Sequence, residues 1–309
     1  LQASGVVDVS PGQFILELDQ GKKQLAHDGG SLALNIDNKG LAAQLHFSPP
    51  ENGTLNASVN LPALSSIPLS DHQPLTGSLQ AALPDLAGIA AWVPEITAAT
   101  GRMRADLQFG GTLEQPKVLG ELELLDGSAE IPVAGLQLQQ AELRVHSRPS
   151  QPDQLEVVAG VVSGPGEMKL TGVLDVAQTS AALLLVGDRF EIYNTRDARI
   201  SLSPDMEINW QQETLTLRGD LVIPEAEITP KLELSPAMNS QDGEEINTPG
   251  QVIAPSQDVV IINGEFDDTA ADELNAPFRI DNQTRLVLGD AVNVNAVGFI
   301  GRITGEVLF

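Results

Sequence analysis

Arg102-Met103-Arg104-Ala105-Asp106-Leu107-Gln108-Phe109 alternates strictly between polar and apolar side chains. Successive side chains of an extended strand point to opposite faces, so Met103, Ala105, Leu107 and Phe109 share one side and Arg102, Arg104, Asp106 and Gln108 the other. The same period runs outward in both directions. Upstream it carries Leu41, Ala43, Leu45 and Phe47, then Leu55, Ala57, Val59 and Leu61 against Asn56, Ser58 and Asn60. Downstream it carries Ala141, Leu143 and Val145, then Met168 through Val176 and Leu215 through Ile223, and it closes on Phe299 through Phe309. Turn-forming residues fall between these runs: Asp28-Gly29-Gly30, Asn38-Lys39-Gly40, Asn52-Gly53, Asp126-Gly127 and Gly164-Pro165-Gly166. The reading is an all-β chain of half-buried strands, and connections this short predict antiparallel neighbours.

Two segments break the alternation. Pro84, Leu86, Ile89, Ala90 and Val93 have helical spacing, with proline where a first helical turn accepts it, which predicts one short helix over about 84–92. It reads as an amphipathic cap on the sheet and marks a possible sub-boundary near 84–101 in an otherwise continuous 1–309 segment. Pro236 to Pro255 is polar and punctuated, so a mobile loop is expected there. A weak repeat overlies the strands. Glycine followed after one residue by an apolar residue recurs at Gly30, Gly77, Gly120, Gly172, Gly219, Gly264 and Gly305, although with 28 glycines the tripeptide also arises by chance.

Composition removes whole classes of function. Without cysteine there are no disulfides, thiolate nucleophiles or cysteine metal sites. Against 17 basic residues stand 42 acidic ones, a formal charge of −25 that repels nucleic acid. No apolar run approaches the length of a membrane-spanning helix, and no signal-peptide pattern is present. The chain starts at Leu1 inside strand-like sequence, which reads as a piece of something longer. His27, His46, His72 and His146 are scattered, Glu121 and Glu123 fall on the wet side of a strand, and Asp267, Asp268, Asp272 and Glu273 lack the glycine-punctuated spacing of a calcium loop. Neither a catalytic constellation nor a metal or cofactor site is expected.

Strand after strand thus has a wet face and an oily one, with almost no helix to cover the oil. Either the apolar faces meet in a closed packed core, or the sheet curls into an open, taco-like U with an apolar groove. With eight Phe, two Trp and one Tyr, the oily positions are mostly aliphatic, a wall that suits acyl chains better than a polar metabolite. Expected inward positions are Leu122, Leu124, Leu143 and Val145, then Met168, Leu170, Leu174 and Val176. The series continues with Ile200, Leu202, Leu215, Leu217, Leu221 and Ile223, and ends with Val292, Val294 and Ile303.

Particular combinations add a resemblance. Ser203-Pro204-Asp205-Met206-Glu207-Ile208, Leu217-Arg218-Gly219-Asp220-Leu221-Val222-Ile223-Pro224-Glu225-Ala226-Glu227-Ile228, Ser256-Gln257-Asp258-Val259-Val260-Ile261, Leu288-Gly289-Asp290, Gly298-Phe299 and Gly305 follow one another in the order and spacing of the TamB family, which the chain resembles. Leu83-Pro84-Asp85-Leu86 and Gly110 to Gly120 fit the same family. The resemblance implies a protein anchored in the inner membrane of a Gram-negative envelope and crossing the periplasm as an elongated β groove. It also implies a TamA-like outer-membrane barrel as partner, phospholipid acyl chains or apolar β segments as cargo, and a role in outer-membrane biogenesis without enzymatic chemistry. Two further expectations are a chaperone or scaffold that pairs with nascent barrel strands or has a closed core and carries no lipid, and end-to-end self-association through exposed sheet edges.

Overall fold

The computed structural model describes residues 2–18, 21–63, 69–90, 93, 95–148, 151–229, 278–296 and 299–309. The first strands are β1 (Ala3–Val9), β2 (Gly12–Leu18), β3 (Gly21–His27), β4 (Gly30–Asp37), β5 (Gly40–Phe47), β6 (Thr54–Pro62) and β7 (Thr76–Leu83), then the helix α1 (Ala87–Ala90). There follow β8 (Thr97–Gly111), β9 (Pro116–Ile131), β10 (Leu136–Arg148), β11 (Gln151–Ser163), β12 (Gly166–Asp175), β13 (Ser180–Asp188) and β14 (Phe190–Asn194). The last are β15 (Ala198–Gln211), β16 (Thr214–Ile228), β17 (Arg279–Ala296), β18 (Phe299–Arg302) and β19 (Gly305–Leu308).

All but β2 and β3 belong to one 17-stranded sheet, curled but not closed. From β1 the pairing passes to β4, then strand by strand to β13, on to β15 and β16, and so to β17. After a break at Arg189, β14 continues β13 along the same neighbour, β15. The expected antiparallel arrangement holds at every described step but one: β16 and β17 are parallel, with the chain from 229 to 278 as their connection. Parallel neighbours need such a crossover because a tight turn returns the chain in the opposite direction.

The helix starts later than the 84 expected, and positions 91–92 of the expected span lie outside the described residues. It covers Ala87–Ala90, capped by the Asp85 carboxylate, which accepts the Ala87 N–H at 2.8 Å. Its start is delayed because the Leu86 N–H donates to the Gly101 carbonyl of β8 at 3.0 Å, pulling the preceding residues into the loop. Phe299 to Phe309 is also not one strand. β18 pairs with Asn293–Ala296 of β17 and β19 with Arg285–Leu288, and the excess length of β17 between those stretches forces the break at Ile303 and Thr304. The loop expected over 236–255 and Gly264 lie outside the described residues.

Curvature has a local origin. Across β8, β9 and β10 the alternation slips together, at Ala98 and Gly101, at Asp126 and at Gln140, all with positive φ. In β10 both Gln139 and Gln140 are exposed, so the oily side passes from Leu136 and Leu138 to Ala141, Leu143 and Val145. An aligned row of bulges is a crease, and creases bend a sheet while keeping one face apolar. A second crease crosses β16 at Ile223-Pro224-Glu225 and β17 at Gly289-Asp290. Beyond it Ala226, 3% exposed, takes the apolar position and Glu225 and Glu227 face water.

Candidate functional site

Residues directly opposite one another in a ladder share a face, so the register traces the apolar side from strand to strand. One lane starts at Val9 of β1 and runs through Gly30, Phe47, Leu55, Ala81 and Ala105 to Leu122 of β9. It continues through Val145, Val157, Gly172, Leu183 and Ile208 to Leu217 of β16. A second lane, one rung over, runs from Leu83 through Met103, Leu124, Leu143, Ala159, Leu170, Leu185 and Met206 to Gly219. Strands about 4.8 Å apart make the first lane on the order of 60 Å long, measured along the sheet.

Lane side chains are shielded by their neighbours without being sealed in. Leu122, Leu143, Leu170 and Leu217 are each half-buried. Among the described residues the largest side chains buried to below 2% exposure are Pro204 and Ser163; no leucine, isoleucine or phenylalanine is among them. Two apolar faces interdigitated as a sandwich would bury many such side chains completely. This face is lined and left open.

The reverse side is charged and paired. The Arg148 guanidinium donates twice to Glu156, at 2.8 and 2.6 Å, and holds that carboxyl below its ordinary value. Arg285 does the same to Asp220 across the parallel β16–β17 pair, with Nε to Oδ1 at 2.9 Å, and its own pKa is raised in return. Arg218 donates to Gln283 on the same face. The recesses here are open dishes of about 590 Å³, one lined by Asp106, Glu121, Glu123, Arg144 and His146, another by Gln137, Glu191, Arg199 and Glu225. Glu191 is only 6% exposed, but its carboxylate is held by Arg199 at 3.2 Å and by the Asn194 amide at 2.9 Å, so it reads as a structural anchor. The histidines have separate local partners: His46 meets Asn56, His72 meets Glu114, His146 meets Glu156, and His27 stacks on Phe14.

The inward positions expected from alternation distribute as follows. Leu122, Leu124, Leu143, Val145, Leu170 and Leu217 stand in the two lanes. Met168, Leu174, Leu215 and Leu221 lie on the same face one or two rungs away, where Leu155 opposes Leu174 and Trp210 opposes Leu215. Ile200, Leu202, Ile223, Val292 and Val294 sit on that face around the second crease, with Ile200 opposite Ala226, Ala226 opposite Val292 and Ile228 opposite Val294. Val176 is off the sheet, in the turn that begins where β12 ends at Asp175. Ile303 falls in the break between β18 and β19 and is 42% exposed. Alternation alone overran the strand in both cases. It also missed Val157, Leu183 and Ile208, which the same period could have found.

Among the described residues the chain is a long, curled, open β sheet with an apolar lane running along one face from Val9 to Leu217. The chain belongs to the TamB family: residues 2–124 match the description "TamB, N-terminal domain" and residues 158–309 the description "TamB C-terminal domain". Members act in the translocation and assembly module, span the cell envelope, work with an outer-membrane partner, and are transport and assembly components rather than enzymes. No solved structure matches the chain. Among the described residues no helix is long and apolar enough to cross a membrane.

Proposed function

We propose that the apolar face is a periplasmic conduit for phospholipid acyl chains moving between the inner and outer membranes, in support of outer-membrane protein assembly with a TamA-like barrel. The observation that carries this reading is the continuity of the lane from Val9 to Leu217 without a polar side chain. Each methylene exposed to water costs roughly 0.8 kcal/mol, so a tail of about 16 carbons faces a barrier on the order of 10 kcal/mol in open periplasm. An aliphatic track removes most of that barrier at every point, whereas one binding pocket removes it at one place. The charged reverse face keeps the track from adhering to neighbours.

Photocrosslinking tests the reading. A photoreactive amino acid at Leu217, in the lane, should capture lipid in cells, and the same probe at Arg218, on the charged face, should not. Leu217→Asp should cut lipid capture from a second probe at Leu143 by at least tenfold while leaving the β-sheet circular dichroism unchanged. Capture of protein alone at Leu217, or equal lipid capture at 217 and 218, would contradict a lipid track.

A further inference from the structure

Both apolar lanes change character at the same strand. In β17 the residue opposite Leu217 is Asn282 and the residue opposite Gly219 is Thr284. That these two share the apolar side follows from their neighbours: Arg218 bonds Gln283 and Asp220 bonds Arg285, so 281, 283 and 285 occupy the charged side. The Thr284 hydroxyl is buried and donates to the Asn282 carbonyl oxygen Oδ1 at 2.7 Å. With Oδ1 so engaged, the two N–H donors of Nδ2 have no partner among the described residues, and Asn282 is exposed. β19 pairs with β17 from Arg285 onward and the Phe309 N–H extends this to the Thr284 carbonyl at 3.0 Å, so Asn282 lies on the stretch of β17 before Thr284 whose outer edge is unpaired among the described residues.

We infer that Asn282, oriented by Thr284, is a polar stop at the end of the lane that receives an ester carbonyl oxygen of the diacyl lipid. The inference rests on the conduit reading and adds to it the part of the lipid that is recognised. Hydrogen-bond acceptors are distributed differently in a lipid cargo and a peptide cargo. An extended peptide carries a carbonyl at every residue and needs donors all along its path. A diacyl lipid has its ester carbonyls at one end of otherwise uninterrupted hydrocarbon. A donor-free lane that ends in one pair of free N–H groups fits the second distribution. Asn282 contacts cargo in this scheme; Thr284 is a positioning residue, fixing which end of the amide faces outward.

The test compares dipalmitoyl phosphatidylethanolamine with its dihexadecyl ether analogue, which keeps headgroup and tails but lacks both carbonyls. The full chain should bind the ester lipid about fivefold to tenfold tighter than the ether. Asn282→Leu and Thr284→Val should bring that ratio to about one, with ether binding retained, and Thr284→Ser should preserve the wild-type ratio. A ratio of one in the wild type, or an undiminished ratio in Asn282→Leu, would overturn the polar stop and leave the conduit standing. Failure of the wild type to bind either lipid would overturn both. Competition by an alternating apolar β-peptide that is lost in Asn282→Leu, with lipid binding indifferent to the variant, would reassign the site to protein cargo.

Discussion

Gly120 and Gly219 show what single residues do to this sheet. Their φ values are +124° and +129°, a region glycine enters freely and other residues rarely, and an added Cβ would fall 1.9 Å from the Asp106 carbonyl oxygen and 2.2 Å from that of Asp205. The glycines of the sequence repeat that lie among the described residues all stand on the apolar face, and at each but Gly305 an added Cβ would meet a carbonyl of the neighbouring strand. Spacing revealed the recurrence of these glycines; their conformation was not legible, because it depends on a carbonyl in another strand. Gly219→Val should destabilise by about 1–3 kcal/mol, measured by urea denaturation. Gly110→Ala, at a position where an added Cβ meets nothing within 4 Å, should leave the midpoint unmoved, and equal effects would refute the backbone argument.

Among the elements, the strands were the most legible part, because one face is oily and the other wet wherever the register is uninterrupted. The creases were half legible. Gln139-Gln140 breaks the alternation in plain view between Leu138 and Ala141, whereas the β16 slip is hidden in Ile223-Pro224-Glu225-Ala226, where every substitution of phase still leaves an apolar residue nearby. The parallel β16–β17 ladder could not be read at all, since alternation carries no direction. That ladder is cross-linked on its charged side by Arg285 and Asp220. Because the Asp220 carboxyl is held below its ordinary value, its stabilising contribution is present above the unfolded value near pH 4 and is lost as pH falls through the lower folded value. Asp220→Asn should therefore flatten the loss of stability during acidification below about pH 4, most visibly at low salt, because the pair is exposed and screened. Identical acid unfolding curves for variant and wild type would show that the pair adds nothing.

Taken whole, the sheet is bounded by edges. Among the described residues β1 has a partner only in β4, and Val6 and Val7 on it are 64% and 59% exposed. At the far end Leu308 of β19 is 75% exposed. Neither β1 nor β19 carries the lysine or proline that natural edge strands use to refuse partners. The described chain should associate end to end with rising concentration, and Val6→Lys with Leu308→Lys should shift sedimentation toward monomer. A wild type that stays monomeric at millimolar concentration would rule this out. Whether the apolar faces met or stayed apart was the question composition could not answer. The same alternation serves a packed sandwich and an open trough, and only the half-buried leucines of the lane distinguish them.

The parallel pair has one more consequence, for the entropy of assembly. Hairpin neighbours find each other across a few residues, but β17 must return to β16 after the whole excursion from 229 to 278. In the unfolded chain, bringing together residues that far apart costs about 2 kcal/mol more in chain entropy than closing a four-residue turn. Forming the β16–β17 ladder, and the polar stop with it, therefore carries an entropic cost that the hairpin ladders do not.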